Sequence, residues 1–530
     1  MFASQQSRVV AEPNLAAVCV AGQARTARVR SWLLPSLSDV LFFVLLSILF
    51  ISGSGWSELL ADSDTGWHIR TGEYILRTHT VPVWDLFSYT DPGTHWYAWE
   101  WLADILFAAL HHAAGFKGVV LFSGAVICLT MIILFRHMMW RGARLHIAVV
   151  LTIFVAEALR FHYLARPHIF TTLFGVIALW ILDRDWSRPS RAVWMLVPLT
   201  VLWTNVHGGF LILIVALGSF AVSALLRREM RRFTRYALLG AACSAATLVN
   251  PYGWQLHIHI WEYLRSDWLM RNIDEFQSPL FRQGSILQFE ILLFLGLFCT
   301  VELVRNRRYH QALLLIFWAH EALTSARHIT IYAVVVAPAV AEQLSLLWDR
   351  WTRFSTRHSV KGVLRDLMND MAPAARSTSI WVPVFLLLLA CGVWNVKWPT
   401  DFPSKFPTEL MARNASLFDG PGRGNVRMLS PDAWGGYLDY KFYPNRRVFI
   451  DGRSDYYGLS ILKEYISVRG AGDNWQELAA RYGWQFALIP PDWALSRALK
   501  QSPDWILRDQ DKVALLFERR PKDAVAQGGQ

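Results

Sequence analysis

Long apolar runs dominate this sequence and limit what it can fold into. Several have roughly 16 to 22 residues with few or no charges, the length that crosses the ~30 Å hydrocarbon core of a bilayer. Hydrophobic residues make up 54% of the 530-residue chain and charged residues 18%, against roughly 25% charged residues in ordinary soluble domains. The sequence therefore predicts a polytopic α-helical membrane protein with about 11 spans. These are expected near residues 36–54, 117–135, 145–159, 168–183, 191–206, 208–225, 236–250, 286–304, 310–323, 329–346 and 379–397.

The connections between the predicted spans form two sets of different charge. One set is rich in arginine and comprises residues 136–144, 226–235, 305–308 and 350–376. The other is acidic, histidine-rich or mixed and comprises residues 55–116, 160–168, 205–209, 250–285 and 320–328. Because arginine-rich loops stay in the cytoplasm, we expect the first set there and the second set outside. The stretch 101–115 is then a surface helix, since a further span would reverse this sorting.

This sorting also predicts where the two ends of the chain lie. The N-terminal segment 1–35 carries several arginines and is expected in the cytoplasm. The transmembrane domain is expected at 36–397, and its first outer loop at 55–116. Because the number of spans is odd, residues 398–530 are expected outside. Abundant tryptophan and arginine with few lysines favour a bacterial inner (plasma) membrane.

The net charge of +11 does not indicate a nucleic-acid partner, because the positive residues concentrate in the short cytoplasmic connections. The lipid bilayer is the expected partner of this surface. The five cysteines include no CxxC pair, so they predict neither a disulfide framework nor a zinc site.

After residue 398 the composition changes to that of a soluble domain. Four stretches have the composition of strands: 426–430, 447–452, 484–490 and 513–519. Three stretches have the periodicity of helices: 459–468, 474–482 and 492–500. The sequence therefore predicts a small extracytoplasmic α/β domain.

Two aspartates open the first outer loop, in the stretch LADSDTGWHIR. In an extended segment residues i and i+2 face the same way, so Asp62 and Asp64 are expected to point together at one site. One carboxylate with a raised pKa beside an ionised partner can act as a general base. The pair also suits a divalent metal ion held by oxygen ligands. Alternatively, Asp64 only caps the helix that follows, near 66–78.

The rest of this loop has a distinctive order of motifs. The acidic pair is followed by His68, GEYIL, a proline, the DPG turn, an aromatic stretch around Glu100 and a surface helix that ends in glycine. This order, after a cytoplasmic N-terminus and one span, resembles the GT-C superfamily of integral-membrane glycosyltransferases. Within it, the first loop is most similar to the protein O-mannosyltransferases and aminoarabinose transferases. The resemblance covers about residues 36–135 and is architectural from there to 346.

The resemblance implies a GT-C-like fold and a polyprenyl-phosphate-linked sugar as the donor. It also implies that the acidic residue opening the first loop is catalytic, which here means Asp62 or Asp64. The chain departs from the family in two places. A serine separates its acidic residues, and WYAWEWL replaces the lysine-proline signature near the second surface helix. The identities of the sugar and the acceptor are therefore not implied.

Basic residues in the outer connections are candidate contacts for the donor phosphate, because guanidinium groups match phosphate oxygens in a bidentate manner. Charged residues at membrane depth are the most informative, since they are costly and tend to line functional cavities. With His68 and Glu100, the candidate substrate-binding residues are Arg160, Arg166, His168, His207, Arg327 and His328. Anchoring to lipid head groups is the alternative explanation.

The acceptor is expected to contact the C-terminal domain. Strand ends in α/β sheets often carry ligand contacts, and Asp451, Arg453 and Asp455 follow the second predicted strand. They are therefore candidate acceptor contacts. A histidine metal site at His257 and His259 is a further alternative, because the two side chains alternate in the sequence.

Together these features predict a membrane glycosyltransferase that moves a sugar from a polyprenyl-phosphate carrier to an extracytoplasmic acceptor, which is a glycan, a lipid or a protein. Asp62 or Asp64 would activate the acceptor hydroxyl or bind a divalent metal that does so. The alternative is a non-enzymatic transporter or assembly factor for cell-surface polysaccharide. A transporter would be expected to show inverted internal repeats, and the sequence contains no convincing repeat.

Overall fold

The structure, a computed structural model, is mainly helical with one small sheet near its C-terminus. It describes residues 33–51, 55–282, 286–356, 358–376, 381–392, 396–418 and 426–520. The predicted cytoplasmic segment 1–35 therefore lies almost wholly outside the described residues. In chain order the helices are α1 (Leu37–Ile51), α2 (Asp64–Thr78), α3 (Trp101–Trp140), α4 (Leu145–Ala158), α5 (His168–Ser187), α6 (Leu196–Thr204), α7 (Leu211–Leu226), α8 (Met230–Ala246), α9 (Gln255–Leu264), α10 (Asp267–Asn272), α11 (Leu287–Arg305), α12 (Tyr309–Thr324), α13 (Ile329–Thr352), α14 (Val360–Arg376), α15 (Trp381–Ala390), α16 (Thr408–Arg413), α17 (Ala415–Phe418), α18 (Asp432–Phe442), α19 (Gly458–Arg469), α20 (Trp475–Tyr482) and α21 (Ala494–Gln501).

Several of these helices have the length and composition of membrane spans. Among the described residues, four are long and apolar enough to cross a bilayer: Trp101–Trp140, Gly208–Leu226, Leu287–Arg305 and Ala326–Thr352. Shorter apolar helices occupy Leu37–Ile51, Leu145–Ala158, Arg191–Thr204 and Trp381–Ala390. Large apolar side chains such as Val150, Phe294 and Phe298 point away from the protein interior, as expected where helices face lipid. The chain is therefore a multi-pass membrane protein.

Helix α3 breaks near its middle. Ala114 leaves helical geometry with φ −148° and ψ 17°, and Gly115 has φ 59°, a conformation that glycine adopts at little cost. The break separates a first segment, residues 101–113, from a longer apolar segment that begins at Phe116. It lies at the predicted boundary between a surface helix and a span.

Helix α2 lies between α3 and the C-terminal region of the chain. Gly72 packs against the Asp104 carbonyl oxygen of α3, and Gly66 packs against the Gly436 carbonyl oxygen of α18. Gly436 packs in turn against the Ser63 carbonyl oxygen just before α2. A Cβ at any of these three glycines would overlap the facing oxygen, so the helices approach this closely only because the side chains are absent. The start of α2 is thereby held against the C-terminal domain.

The C-terminal domain contains a four-stranded sheet. Its strands are β1 (Met428–Leu429), β2 (Phe486–Ile489), β3 (Trp505–Gln510) and β4 (Leu515–Arg519), in the order β1-β2-β4-β3. Strands β1 and β2 are parallel, with Met428 opposite Phe486, and the other pairs are antiparallel, with Ala487 opposite Phe517. Three of the four predicted strands and all three predicted helices are present. Strand β3 was not predicted.

The predicted strand at 447–452 is wrong. This stretch forms a single parallel bridge between Val448 and Ser88 of the first loop, and does not join the sheet. The Val448 N–H donates to the Phe87 carbonyl at 2.8 Å, and the Val448 carbonyl accepts from the Tyr89 N–H at 3.0 Å. Phe449 and Ile450, two of the apolar residues that suggested a strand, are buried in a core shared by the first loop and the C-terminal domain. These two parts of the chain therefore pack as one body around the start of α2.

Candidate active site

The two aspartates at the start of the first loop do not lie in an extended segment. Ser63 between them has helical geometry, with φ −69° and ψ −22°, and Asp64 is the first residue of α2. The Asp64 backbone N–H donates to Asp62 Oδ1 at 2.9 Å, so Asp62 satisfies one of the free donors at the helix start. The alternative that Asp64 caps the helix is therefore wrong. Asp62 is the residue whose side chain accepts a hydrogen bond from the start of the helix.

Both carboxylates converge on the guanidinium of Arg166, in the connection between α4 and α5. Arg166 Nη1 lies 2.6 Å from Asp62 Oδ2, and Nη2 lies 2.9 Å from Asp64 Oδ2. A third carboxylate, that of Glu275, approaches Nη1 at 3.4 Å. The aspartates therefore share one site, and a guanidinium brings them together. Glu275 was not predicted as a site residue, because its sequence neighbourhood has no motif.

The C-terminal domain closes over Asp64. Asp64 is 5% exposed, whereas the side chain of Asp62 is 24% exposed. A Cβ at Gly452 would overlap Asp64 Oδ1, and a Cβ at Gly435 would overlap the Asp451 backbone. The glycines thus allow the segment around residue 452 to cover the carboxylate. The site is built from both ends of the chain.

This environment changes the acidity of Asp64. Burial, and then the negative charge of Asp62, raise its pKa from an ordinary carboxyl value to about 7, against the opposing effect of Arg166. A carboxyl group with a pKa near neutrality is suited to accept a proton and to release it again in each turnover. Asp62 and Asp64 thus have different environments, one at the edge of the site and one inside it.

A second carboxylate with altered acidity lies in the same site. Glu100 Oε2 lies 3.6 Å from His68 Nε2, and Glu100 Oε1 lies 3.4 Å from His207 Nε2. His68 Nδ1 hydrogen-bonds to Asp104 Oδ1 at 2.6 Å, and Thr171 Oγ1 hydrogen-bonds to His207 Nδ1 at 2.8 Å. Burial raises the pKa of Glu100 to about 8, so this carboxyl group is mostly protonated at neutral pH.

The two histidines beside Glu100 are neutral. Burial, followed by the charge of Arg166, holds the pKa of His68 well below its usual value. Burial likewise lowers the pKa of His207. Neutral imidazoles and a protonated carboxyl group can each donate and accept hydrogen bonds, which suits the hydroxyl groups of a sugar.

The remaining basic candidates differ in whether their side chains already have polar partners. Arg327 lies with its guanidinium 4.7 Å from the centre of the Phe276 ring, and it has no ion-pair partner among the described residues. His168 Nε2 hydrogen-bonds to the carbonyl of residue 162 at 2.8 Å. His328 lies 3.6 Å from Glu321. Arg160 is half exposed in an ion pair with Glu58 at 2.9 Å, so the structure does not bring it to the aspartate pair.

Asp451 and Arg453 form a closed ion pair inside the C-terminal domain. Arg453 Nε and Nη2 donate to the two Asp451 carboxylate oxygens at 2.9 and 2.6 Å. Arg453 Nη2 also lies 2.8 Å from Asp85 of the first loop, and the Tyr457 hydroxyl donates to Asp451 at 2.7 Å. Both members of the pair are 2 to 3% exposed. We therefore interpret them as residues that position the segment over Asp64, and not as acceptor contacts.

The site does not fit a divalent metal ion. Among the described residues, no three His, Cys, Asp or Glu side chains are placed to hold one. The oxygens of the aspartate pair that would bind a metal already contact the guanidinium. The histidine alternative fails for a similar reason, because His257 hydrogen-bonds to Thr247 at 2.8 Å and His259 to Asp455 at 3.1 Å.

Comparison with known proteins identifies the fold. No protein-family model matches the chain, and no curated protein matches its sequence. Oligosaccharyltransferase from the archaeon Archaeoglobus fulgidus, tethered to an acceptor peptide, superposes with a TM-score of 0.58 at 13% identity, covering 92% of this chain and 74% of that chain. The same archaeal protein, AglB, with an inhibitory peptide and a dolichol-phosphate gives 0.57 at 12% identity, covering 91% and 74%. ArnT from Cupriavidus metallidurans gives 0.48 at 14% identity, covering 95% and 98%. The expected GT-C fold is confirmed by the archaeal structures.

Proposed function

We propose that this chain is a membrane glycosyltransferase that moves a sugar from a polyprenyl-phosphate carrier to an acceptor hydroxyl outside the cytoplasm. The observation that carries the proposal is the Asp62–Asp64 pair, with Asp64 buried and Asp62 at the edge of the site, at the start of the first loop in a chain with the GT-C fold. A structure with this fold holds a dolichol-phosphate, which supports a lipid phosphate as the carrier here. A transporter or assembly factor is not favoured.

The proposed orientation follows from the charge of the connections. About 11 spans within residues 36–397 would leave the N-terminus in the cytoplasm and the domain 398–530 outside, in a bacterial inner membrane. The first loop and the C-terminal domain would then meet at the outer surface of the bilayer. A polyprenyl carrier would reach the site laterally from the lipid, with its phosphate at the depth of the head groups.

In the proposed reaction the acceptor oxygen attacks the anomeric carbon of the sugar. The bond between this carbon and the phosphate oxygen breaks, and the polyprenyl phosphate leaves with the bonding electron pair. The acceptor proton passes to Asp64, whose pKa of about 7 suits a general base at neutral pH. Asp62, which binds Arg166 and the first N–H of α2, would hold Asp64 in place.

The negative charge that develops on the leaving phosphate needs a cation. Arg327 is suited to this task because its guanidinium has no carboxylate partner among the described residues, and a guanidinium binds phosphate oxygens in a bidentate manner. Glu100, His68 and His207 would bind the hydroxyl groups of the sugar. This assignment leaves Arg166 with the carboxylates and Arg327 with the donor.

The proposal is tested by measuring lipid-linked sugars in cells. Lipid extracts from cells with the normal protein are compared by mass spectrometry with extracts from cells with the Asp62→Asn/Asp64→Asn variant at matched expression. One polyprenyl-phosphate sugar should accumulate in the variant, because the donor is made and no longer used. Exposed Arg160→Gln serves as the control. An unchanged pool in the double variant would contradict the proposed function.

Transfer is also expected to depend on pH. A general base must be deprotonated, so kcat/KM should fall about tenfold for each pH unit below the pKa of the base, with the bend at about 7. It should level off above the bend until Glu100 loses its proton, at a pKa of about 8. A phosphodiester donor has no group that titrates in this range. The rate is measured on purified protein from pH 5 to 9.

A matched variant assigns this bend to Asp64. Glu100→Gln resembles the protonated carboxyl group that Glu100 carries at neutral pH, so this variant should keep the acidic limb and its bend. A rate that stays flat from pH 5 to 7 in the normal protein would show that the base has an ordinary carboxyl pKa.

A further inference from the structure

Arg166 occupies the position between Asp62 and Asp64 in which a divalent cation would bind. Its two terminal nitrogens lie 2.6 and 2.9 Å from one oxygen of each aspartate, and Glu275 approaches at 3.4 Å. We propose that the Arg166 guanidinium is the permanent cation of this site, and that the carboxylates bind a divalent metal only when it is removed. The prediction about metal binding rests on this geometry alone. The consequence for catalysis rests on the proposed function.

The carboxylate oxygens of the two aspartates that could bind a metal already contact other groups of the protein. Asp62 Oδ1 accepts the Asp64 backbone N–H at 2.9 Å, and Asp62 Oδ2 contacts the guanidinium. Asp64 Oδ1 packs against Gly452. Mg²⁺ and Ca²⁺ need several oxygen ligands at about 2.0 to 2.6 Å. A cation at that distance from these oxygens would touch the guanidinium nitrogens, and two positive groups in contact repel each other.

The positive groups already present offset the negative charge of the carboxylates. Arg166 contacts Asp62, Asp64 and Glu275, while Arg327 interacts electrostatically with Glu275 and Lys405 with Asp62. A divalent ion added here would be repelled by these positive groups. Removal of Arg166 reverses the situation, because three carboxylates would then surround an empty space that had held a guanidinium. Such a space would bind a small divalent cation, since unpaired carboxylates close together are strongly unfavourable.

The test is Mn²⁺ binding by the full-length purified protein, followed by the loss of the electron paramagnetic resonance signal of free Mn²⁺. The normal protein and Arg166→Lys, which keeps the charge, should bind no Mn²⁺ at this site. Arg166→Ala should bind about one Mn²⁺ per chain. Adding Asp62→Asn to Arg166→Ala should weaken that binding at least about tenfold, because one ligand is lost.

Two results would overturn the proposal. One is Mn²⁺ binding by the normal protein that Asp62→Asn abolishes. The other is no Mn²⁺ binding by Arg166→Ala when its gel-filtration elution and thermal midpoint match those of the normal protein. If Arg166→Ala does not fold, Arg166→Gln replaces it, because glutamine keeps most of the side-chain volume without the charge. Metal binding is measured without substrate, so these outcomes are independent of whether the chain transfers a sugar.

Discussion

Replacing Asp64 with asparagine should lower the rate of sugar transfer by about 10²- to 10⁴-fold, the usual contribution of a general base. Asparagine has nearly the same shape as aspartate and can still accept a hydrogen bond from Arg166, but it cannot take up the acceptor proton. The loss should therefore appear in kcat with little change in KM for the donor. It is measured by single-turnover transfer from a purified lipid-linked sugar.

Asp62→Asn is the matched control, because the two aspartates bind the same guanidinium and differ in burial. Its amide oxygen can still accept the Asp64 N–H, so α2 should begin in the same way. We expect a loss of about tenfold or less, since the pair with Arg166 is weakened and the base remains. A larger loss in Asp62→Asn than in Asp64→Asn would assign the base to Asp62 and contradict the role given to Asp64.

Replacing Arg453 with methionine should destabilise the protein by about 3 to 5 kcal/mol, the usual cost of removing one partner from a buried ion pair. Asp85 and Asp451 would lose their shared cation while remaining buried. Burial acts to raise the pKa of Asp85, but Arg453 and Ser88 outweigh this effect and hold the pKa below its usual value. The effect is measured as a lower midpoint of thermal unfolding of the full-length protein in detergent.

Arg508→Met is the control for this variant. Arg508 lies in the same domain in an ion pair with Glu518, but its side chain is 47% exposed, and exposed pairs contribute about 0 to 1 kcal/mol. Adding Asp85→Asn to Arg453→Met should recover part of the lost stability, because one unpaired charge is removed. An Arg453→Met midpoint equal to that of Arg508→Met would show that the buried pair does not hold the domain.

Much of the fold follows from local patterns in the sequence. Apolar runs predicted the long helices, and the helical spacing of residues along one face predicted the helix near 66–78. The stretch 447–452 was wrongly predicted as a strand. Its apolar residues indicate only that the segment is buried, and it is buried without joining a sheet. The boundary at residue 115 was predicted from the charges of the connections, because a span at 101–115 would reverse their sorting.

The candidate site was harder to predict, because its parts meet only in three dimensions. The aspartate pair stands out beside a membrane span, and Glu100 and Asp104 are four residues apart, a spacing that places both on one side of a helix and near His68. Glu275 has no such signal, since its contact with Arg166 depends on tertiary packing. For the same reason the sequence did not reveal that Asp451 and Arg453 form a buried ion pair with each other.

The packing of Gly436 and Gly452 against the start of α2 also sets the order in which the proposed site is completed during synthesis. A nascent chain emerges with its N-terminal part first, so Asp64 is made long before Gly436 and Gly452 arrive to cover it. Until then water reaches the carboxyl group, and its pKa stays near that of an ordinary aspartate. The proposed base therefore matures only when the last domain has folded, and an unfinished chain in the membrane has an exposed, immature site.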